Sequence, residues 1–223
     1  RQIAVRILQR HASHQEYLES LVDEALARAA LSAPDRGLVH EITCGVVRWQ
    51  ATLDWLIARK TAGRTQKAVL QILLRLGLYQ MFWLDRIPDH AAVHETVDLA
   101  KQLGCGAQAG FINAVLRGYL RERGQAAQLL AELRQTHPHL GYSHPEWLCA
   151  RWENTWGRDH LKQLLEWNNT PPATYARRNA LKADVAALTA EWTREGVRFT
   201  PHPCDWAGGG LVFRLESQDR KST

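Results

Sequence analysis

Apolar residues recur every three or four positions from Ile3 to about Arg134, as in Leu18, Leu21, Val22 and Leu26 and again in Val69, Leu70, Leu73 and Leu76. That spacing matches the 3.6-residue turn of an α-helix and gives each segment one apolar face. Breaks fall between the periodic runs at Pro34, Gly63, Pro88, Gly104 to Gly106 and Gly124, where the chain loses an amide donor or gains backbone freedom. The pattern predicts about six or seven helices in a compact bundle. Asp89 follows Pro88 and precedes Ala91, Ala92 and Val93, a placement suited to accepting from a free amide at a helix start. Gly104 reads as the stop of the same helix.

The helical period ends around His137 to Pro145, where Ser143 and Glu146 have the spacing of a capping box ahead of Trp147 and Leu148. A domain boundary is expected near residue 140. Two short helices follow, and then the period changes to two. Thr174 to Asn179 reads as a strand, Ala183 to Glu195 as a helix, Val197 to Thr200 as a strand and Leu211 to Glu216 as another. Strand, helix, strand, strand is the order of an incomplete α+β subdomain of ferredoxin-like or RNA-recognition-like type. The expected fold class is therefore mainly α: an all-helical bundle over 1–140, then linker helices and a partial α+β subdomain over 141–223.

Composition narrows the class without naming a function. With 223 residues and 45% hydrophobic content the chain can bury a real core. Charged residues reach 23%, and no apolar run approaches the roughly 20 residues of a membrane span. Arg1 to Arg10 alternate charged and apolar positions without an export signal's apolar stretch or cleavage site, so a cytoplasmic protein is expected. Cys44, Cys105, Cys149 and Cys204 lie far apart with no C-x-x-C pair, as suits reduced thiols. A net charge of +5 and a pI near 9.2 favour a polyanionic partner.

Four segments in order carry a resemblance: Asp35-Arg36-Gly-Leu-Val-His-Glu-Ile-Thr-Cys-Gly45-Val-Val-Arg48-Trp49, Leu76-Gly77-Leu-Tyr79-Gln80, Ile87-Pro88-Asp-His-Ala91-Ala-Val93 and Gly110-Phe111-Ile-Asn113-Ala114-Val-Leu116-Arg117. Together they resemble the NusB-like domain. That domain occurs alone in transcription antitermination factors and fused to the RsmB, Sun or Fmu group of 16S ribosomal RNA cytosine-5 methyltransferases. The second half distinguishes the two. His144-Pro145-Glu-Trp147-Leu148-Cys-Ala-Arg151-Trp152, Trp156-Gly157 and Asn168-Asn169-Thr-Pro171-Pro172 leading to Arg178-Asn179 resemble the methyltransferase's linker and N-terminal subdomain.

The resemblance implies a targeting module that grips 16S ribosomal RNA and positions a downstream catalytic domain, with S-adenosylmethionine as methyl donor of the full-length enzyme. The ending after a strand suggests an excised fragment. Alternatives are a stand-alone antitermination or protein-interaction module, with a protein partner, and a domain that only stabilises the enzyme.

Methyl transfer to cytosine C5 requires a glycine-rich donor loop between a strand and a helix, and a cysteine nucleophile. Gly208-Gly209-Gly210 has neither flank. Pro203-Cys204 sits between two short strands without the family's flanking glycines, and reads as structural loop. No catalytic residue, cofactor site or metal site is therefore expected here, and the chain should bind RNA and catalyse nothing. His90 and His94 lie four apart on a helix but lack a third ligand of matching spacing.

The RNA surface is then sought in charge. Arg59, Lys60, Arg64 and Lys67 place four cations in nine residues without an acid, a phosphate-contact pattern that an ordinary solvated loop also shows. Arg117, Arg121 and Arg123, near the end of the helix bearing Asn113, form a second candidate face, although cations there also suit the helix dipole. Arg48 and Asn113 read as hydrogen-bonding groups that fasten helices together. Arg177 and Arg178 lie on the first strand, where neighbours face opposite ways, so one is a candidate phosphate contact. Trp147, Trp152, Trp156, Trp167 and Trp192 are expected to glue the two domains rather than stack on bases.

Overall fold

A computed structural model describes residues 1–13, 16–170, 172–203 and 210–216. The chain divides into two compact units, Arg1–Asn169 and Thr170–Thr223. The first is built of helices: α1 (Gln2–Ser13), α2 (Leu18–Arg28), α3 (Ala33–Arg48), α4 (Gln50–Lys60), α5 (Ala68–Trp83), α6 (Asp89–Gln102), α7 (Ala109–Arg121), α8 (Arg123–Thr136), the single turn α9 (Pro138–Gly141), α10 (Glu146–Trp156) and α11 (Arg158–Asn168). Among the described residues, eight helices precede residue 137, more than the breaker residues predict. Two divisions carry none of these breakers, one between α1 and α2 and one at Trp49. At Trp49 no glycine or proline marks the turn. The Trp49 ring is buried against Trp83 at 4.9 Å, so an aromatic contact fixes the turn. Gly124 sits within the first turn of α8, and the break falls at Glu122 instead.

Helix α5 is the centre of the bundle. Ile72, Leu73, Leu74, Leu76, Leu78 and Met81 are all buried on it, and α1, α3, α4, α6 and α7 pack around it. A helix apolar on all sides is stable only inside such a shell. Gly45 of α3 lies against Tyr79 of α5, where a Cβ would overlap the phenol ring. Buried Gln80 accepts from Arg1 Nε at 2.6 Å and donates to the Leu76 carbonyl, which satisfies both ends of its amide.

Helix ends follow the sequence in some places and depart from it in others. Gly104 adopts φ +76° just past α6, with the Gly104 amide on the Lys101 carbonyl and the Cys105 amide on the Ala100 carbonyl, the paired bonds of a Schellman stop. Ser32 caps α3 by accepting from the Asp35 amide, and Pro34 sits in the first turn. Ser32→Ala is expected to destabilise the first unit by about 1 kcal/mol, read as a lower urea midpoint. A loss of no more than a few tenths would show that α3 does not depend on this cap.

Asp89, by contrast, is the first residue of α6 and caps nothing. Its carboxylate instead pairs with Arg123 at 2.7 Å. The capping box at Ser143 and Glu146 does not form either, because Pro145 precedes α10 directly. Ser143, at φ +57°, accepts from the Ala51 amide at 2.9 Å. That amide is one of the orphan donors in the first turn of α4, so Ser143 caps a helix 92 residues distant in sequence.

Helix α9 packs on α4 and α8, and α10 packs on α9 and α11. The linker helices therefore belong to the first compact unit, with Tyr142, Cys149, Leu161 and Leu165 as a small core of their own. Trp147, Trp156 and Trp167 remain exposed, whereas Trp152 packs against that small core. Helical spacing alone does not tell which side of a short helix is covered.

The second unit contains β1 (Thr174–Arg177), α12 (Val185–Arg194), β2 (Phe199–Pro201) and β3 (Val212–Leu215). The strands form an antiparallel sheet in the order β1-β3-β2, with both Thr174 and Phe199 opposite Leu215. Phe213 is buried, with Trp192 at 5.3 Å and Phe199 at 5.7 Å, and this ring cluster is the subdomain's core. Asp184 caps α12 through the Ala186 amide. Among the described residues no helix is long and apolar enough to cross a membrane.

Candidate nucleic-acid interface

Helix α4 ends at Lys60, and the chain reverses through Ala62 and Gly63, both at positive φ, before α5 begins. This turn presents the first cationic cluster. Arg64 and Lys67 are exposed. Arg59 is exposed too, with its guanidinium over the Trp55 ring at 5.1 Å. Lys60 differs: its ammonium lies 2.6 Å from Glu122 and 5.1 Å from the Tyr119 ring centroid. The tertiary fold thus inserts an acid into a segment that has none in sequence. Lys60 holds the Glu122 carboxyl below its usual range, with smaller contributions from Arg121 and Arg59. Arg121 immediately precedes Glu122, the acid that Lys60 pairs with. Behind them, burial pushes the Tyr119 phenol up to about 12, and its hydroxyl donates to the Leu56 carbonyl at 2.7 Å.

The three arginines of the second candidate face separate. Arg117 and Arg121 lie exposed on α7. Arg123 does not end that helix but starts α8, where its guanidinium donates to the Met81 carbonyl, pairs with Asp89 and covers the Phe82 ring. It is a tertiary clamp. Arg117 borders a groove of about 460 Å³ between α6 and α7, together with His90, His94, Lys101 and Asn113. Lys101 holds the Asp98 carboxyl in that groove below its usual range, assisted by His94. Sequence reasoning left Lys101 out of the site. The signal was present in the positions 90, 94 and 101, which fall on one face of α6.

Asn113 is half-buried and accepts from Arg117 within its own helix at 2.9 Å, so this bond orients Arg117 rather than fastening two helices. Arg48 is half-buried, and its charge opposes the rise that burial and Glu41 impose on the Tyr79 phenol. Among the described residues no group of three His, Cys, Asp or Glu side chains could hold a metal ion.

In the second unit the two neighbouring arginines differ in their surroundings. Arg177 is exposed on β1. Arg178 lies just past the strand end and donates to the Gly210 and Ala183 carbonyls at 3.1 and 2.8 Å, tying two loops to the sheet. Cys204, Gly208 and Gly209 lie outside the described residues.

Residues 1–121 match the model of the NusB family. The chain belongs to that family. After its NusB-family domain, residues 144–213 match a second family, the ferredoxin-like domain of the RsmF/B-like methyltransferases. A probable ribosomal RNA small subunit methyltransferase B of Synechocystis is 37% identical over 86% of this chain and 44% of its own length. The corresponding Bacillus subtilis protein is 34% identical over 88% and 44%, and the ribosomal RNA small subunit methyltransferase B of Pectobacterium carotovorum is 31% identical over 91% and 46%. The chain thus spans a little under half the length of these relatives. The crystal structure of PH0851 shares the fold at a TM-score of 0.59, with 16% identity over 97% of this chain and 48% of that one.

Proposed function

We propose that this chain is the RNA-engaging, non-catalytic front part of a cytoplasmic methyltransferase that uses S-adenosylmethionine to methylate cytosine C5 in 16S ribosomal RNA. The observation that carries the reading is the pairing, in order, of a NusB-family domain with an RsmF/B-like ferredoxin-like domain. Relatives that match across both domains are named small subunit methyltransferase B. The partners are then the ribosomal RNA and the enzyme's own catalytic domain. A stand-alone antitermination module has no use for the second domain.

In this reading Arg59, Arg64, Lys67 and Arg121 contact phosphates from one side of the helical unit. Arg117 and Lys101 border a groove on the same unit, and Arg177 supplies a contact from the sheet. Lys60, Arg123 and Arg178 hold the scaffold that presents these groups.

The test is binding of a 16S ribosomal RNA fragment, followed by fluorescence anisotropy across a salt series, with Arg59, Arg64, Lys67 and Arg121 all changed to Ser. All four side chains are exposed, so the variant should fold. Binding is expected to weaken, and the slope of log affinity against log salt to become shallower by about 0.7 to 0.9 for each phosphate the variant no longer neutralises. An unchanged slope would remove these residues from the interface. A parent chain that binds no ribosomal RNA would overturn the functional reading as a whole.

A further inference from the structure

Helix α10 carries an unusual surface. Trp147 and Trp156 are 66% and 52% exposed, a large exposure for side chains this apolar. With Leu148, Arg151, Trp152 and Thr155 they line a groove of about 380 Å³. That volume lies within the roughly 300–1,000 Å³ of small-molecule sites in general. Trp152 and Trp156 lie 28° from parallel, with centroids 6.4 Å apart.

Three features decide what the groove suits. Its lining is aromatic, with Leu148 as its one aliphatic member. Its one charged liner is Arg151, which is exposed, and no carboxylate lines it. The acids of this helix, Glu146 and Glu153, fall on the other side by the 100° step between residues. The helix is also braced from behind by buried Cys149, Leu161 and Leu165, and Trp152 lies against His144 at 6.1 Å. Flat π-surfaces, one guanidinium and no negative charge on a rigid support are what unpaired bases and their phosphates require.

We propose that the indole face of α10 is a stacking platform for unpaired bases of single-stranded RNA, with Arg151 on the adjoining phosphate or base. This rests on the RNA-binding reading above and extends it from phosphate contact to base contact. It separates two tasks in one molecule: the turn after α4 reads charge, and α10 selects RNA whose bases are already unstacked.

The experiment uses the whole chain and a single-stranded oligoribonucleotide roughly 12 nucleotides long, alongside an abasic oligomer of equal length and charge. W147A/W156A is expected to weaken binding of the base-containing oligomer about tenfold or more, and to leave both the salt slope and binding of the abasic oligomer unchanged. W147F/W156F should restore most of the affinity, since a phenyl ring still stacks. Equal affinity of the parent chain for the two oligomers would overturn the platform, as would W147A/W156A binding like the parent. The latter result would mean that the face serves a protein surface instead. Either outcome leaves the phosphate contacts of the first cluster standing, because those are judged by salt slope alone; loss of all RNA binding by the parent chain would sink both.

Discussion

Gly45→Ala is expected to destabilise the helical unit by about 2 kcal/mol, although it replaces a poor helix former with the best one. In an exposed helix interior the same change stabilises by roughly 0.5–1 kcal/mol, because glycine loses more backbone freedom on folding. Here α3 passes so close to α5 that a methyl group at Gly45 would overlap the ring of Tyr79. The ring has little room to move. It stacks on Trp83 at 5.8 Å, and its hydroxyl donates to Glu41 at 2.6 Å. Displacing it would combine overpacking, about 1–3 kcal/mol, with a broken hydrogen bond from a largely buried phenol, about 1–3 kcal/mol. Together these outweigh the gain in propensity. The sign is the test: urea denaturation should show a lower midpoint at an unchanged slope, whereas an upward shift would show that α3 and α5 do not need the glycine to approach. In a double-mutant cycle with Tyr79→Leu, the two changes should be non-additive by about 1 kcal/mol or more.

That contact illustrates which parts of the molecule were readable from sequence. Long, strongly periodic segments such as α5 and α6, and the Gly104 stop, follow from local rules and appear where expected. The strand, helix, strand, strand order after residue 170 was also legible, since the change of period from 3.6 to 2 is a local signal. Features decided by distant partners were not. Ser143 fits a local capping box, yet its hydroxyl goes to Ala51. Asp89 fits a cap, yet it pairs with Arg123. The division at Trp49 carries no breaker residue, because a buried ring makes it.

The same distinction runs through the candidate interface. Charge density found Arg59, Lys60, Arg64 and Lys67, but it could not tell exposed Arg64 from Lys60, which the fold ties to Glu122. Alternation along a strand predicts one outward and one inward side chain for Arg177 and Arg178, but β1 ends at Arg177. Arg178 is held instead by the carbonyls of Gly210 and Ala183. Cationic residues are thus easy to find in a sequence and hard to sort, because sorting them requires knowing which acids, rings and carbonyls the fold brings to each one.

Phe213→Ala is expected to unfold the α+β subdomain while leaving the helical core intact. Phe213 is 1% exposed and stands between Trp192 and Phe199 in the ring cluster on that sheet. Truncating a buried phenylalanine costs about 3–5 kcal/mol. A subdomain below about 70 residues rarely commands more than that from its own core, so the loss is comparable to its whole stability. The helical unit holds a separate core around α5 and should not depend on this ring. Hydrogen exchange resolved by segment would test the point. Amides of β1 and β3 should exchange as in an unfolded chain, while those of α5 keep their protection. Phe213→Leu, which retains most of the volume, should cost only about 1 kcal/mol and preserve the sheet. Retained protection at Val212–Leu215 in the alanine variant would show that the ring cluster is not what holds the strands. If the subdomain does melt, Arg177 loses its place on β1 while the turn after α4 keeps its charges, so residual RNA binding by this variant would measure what the helical unit contributes alone.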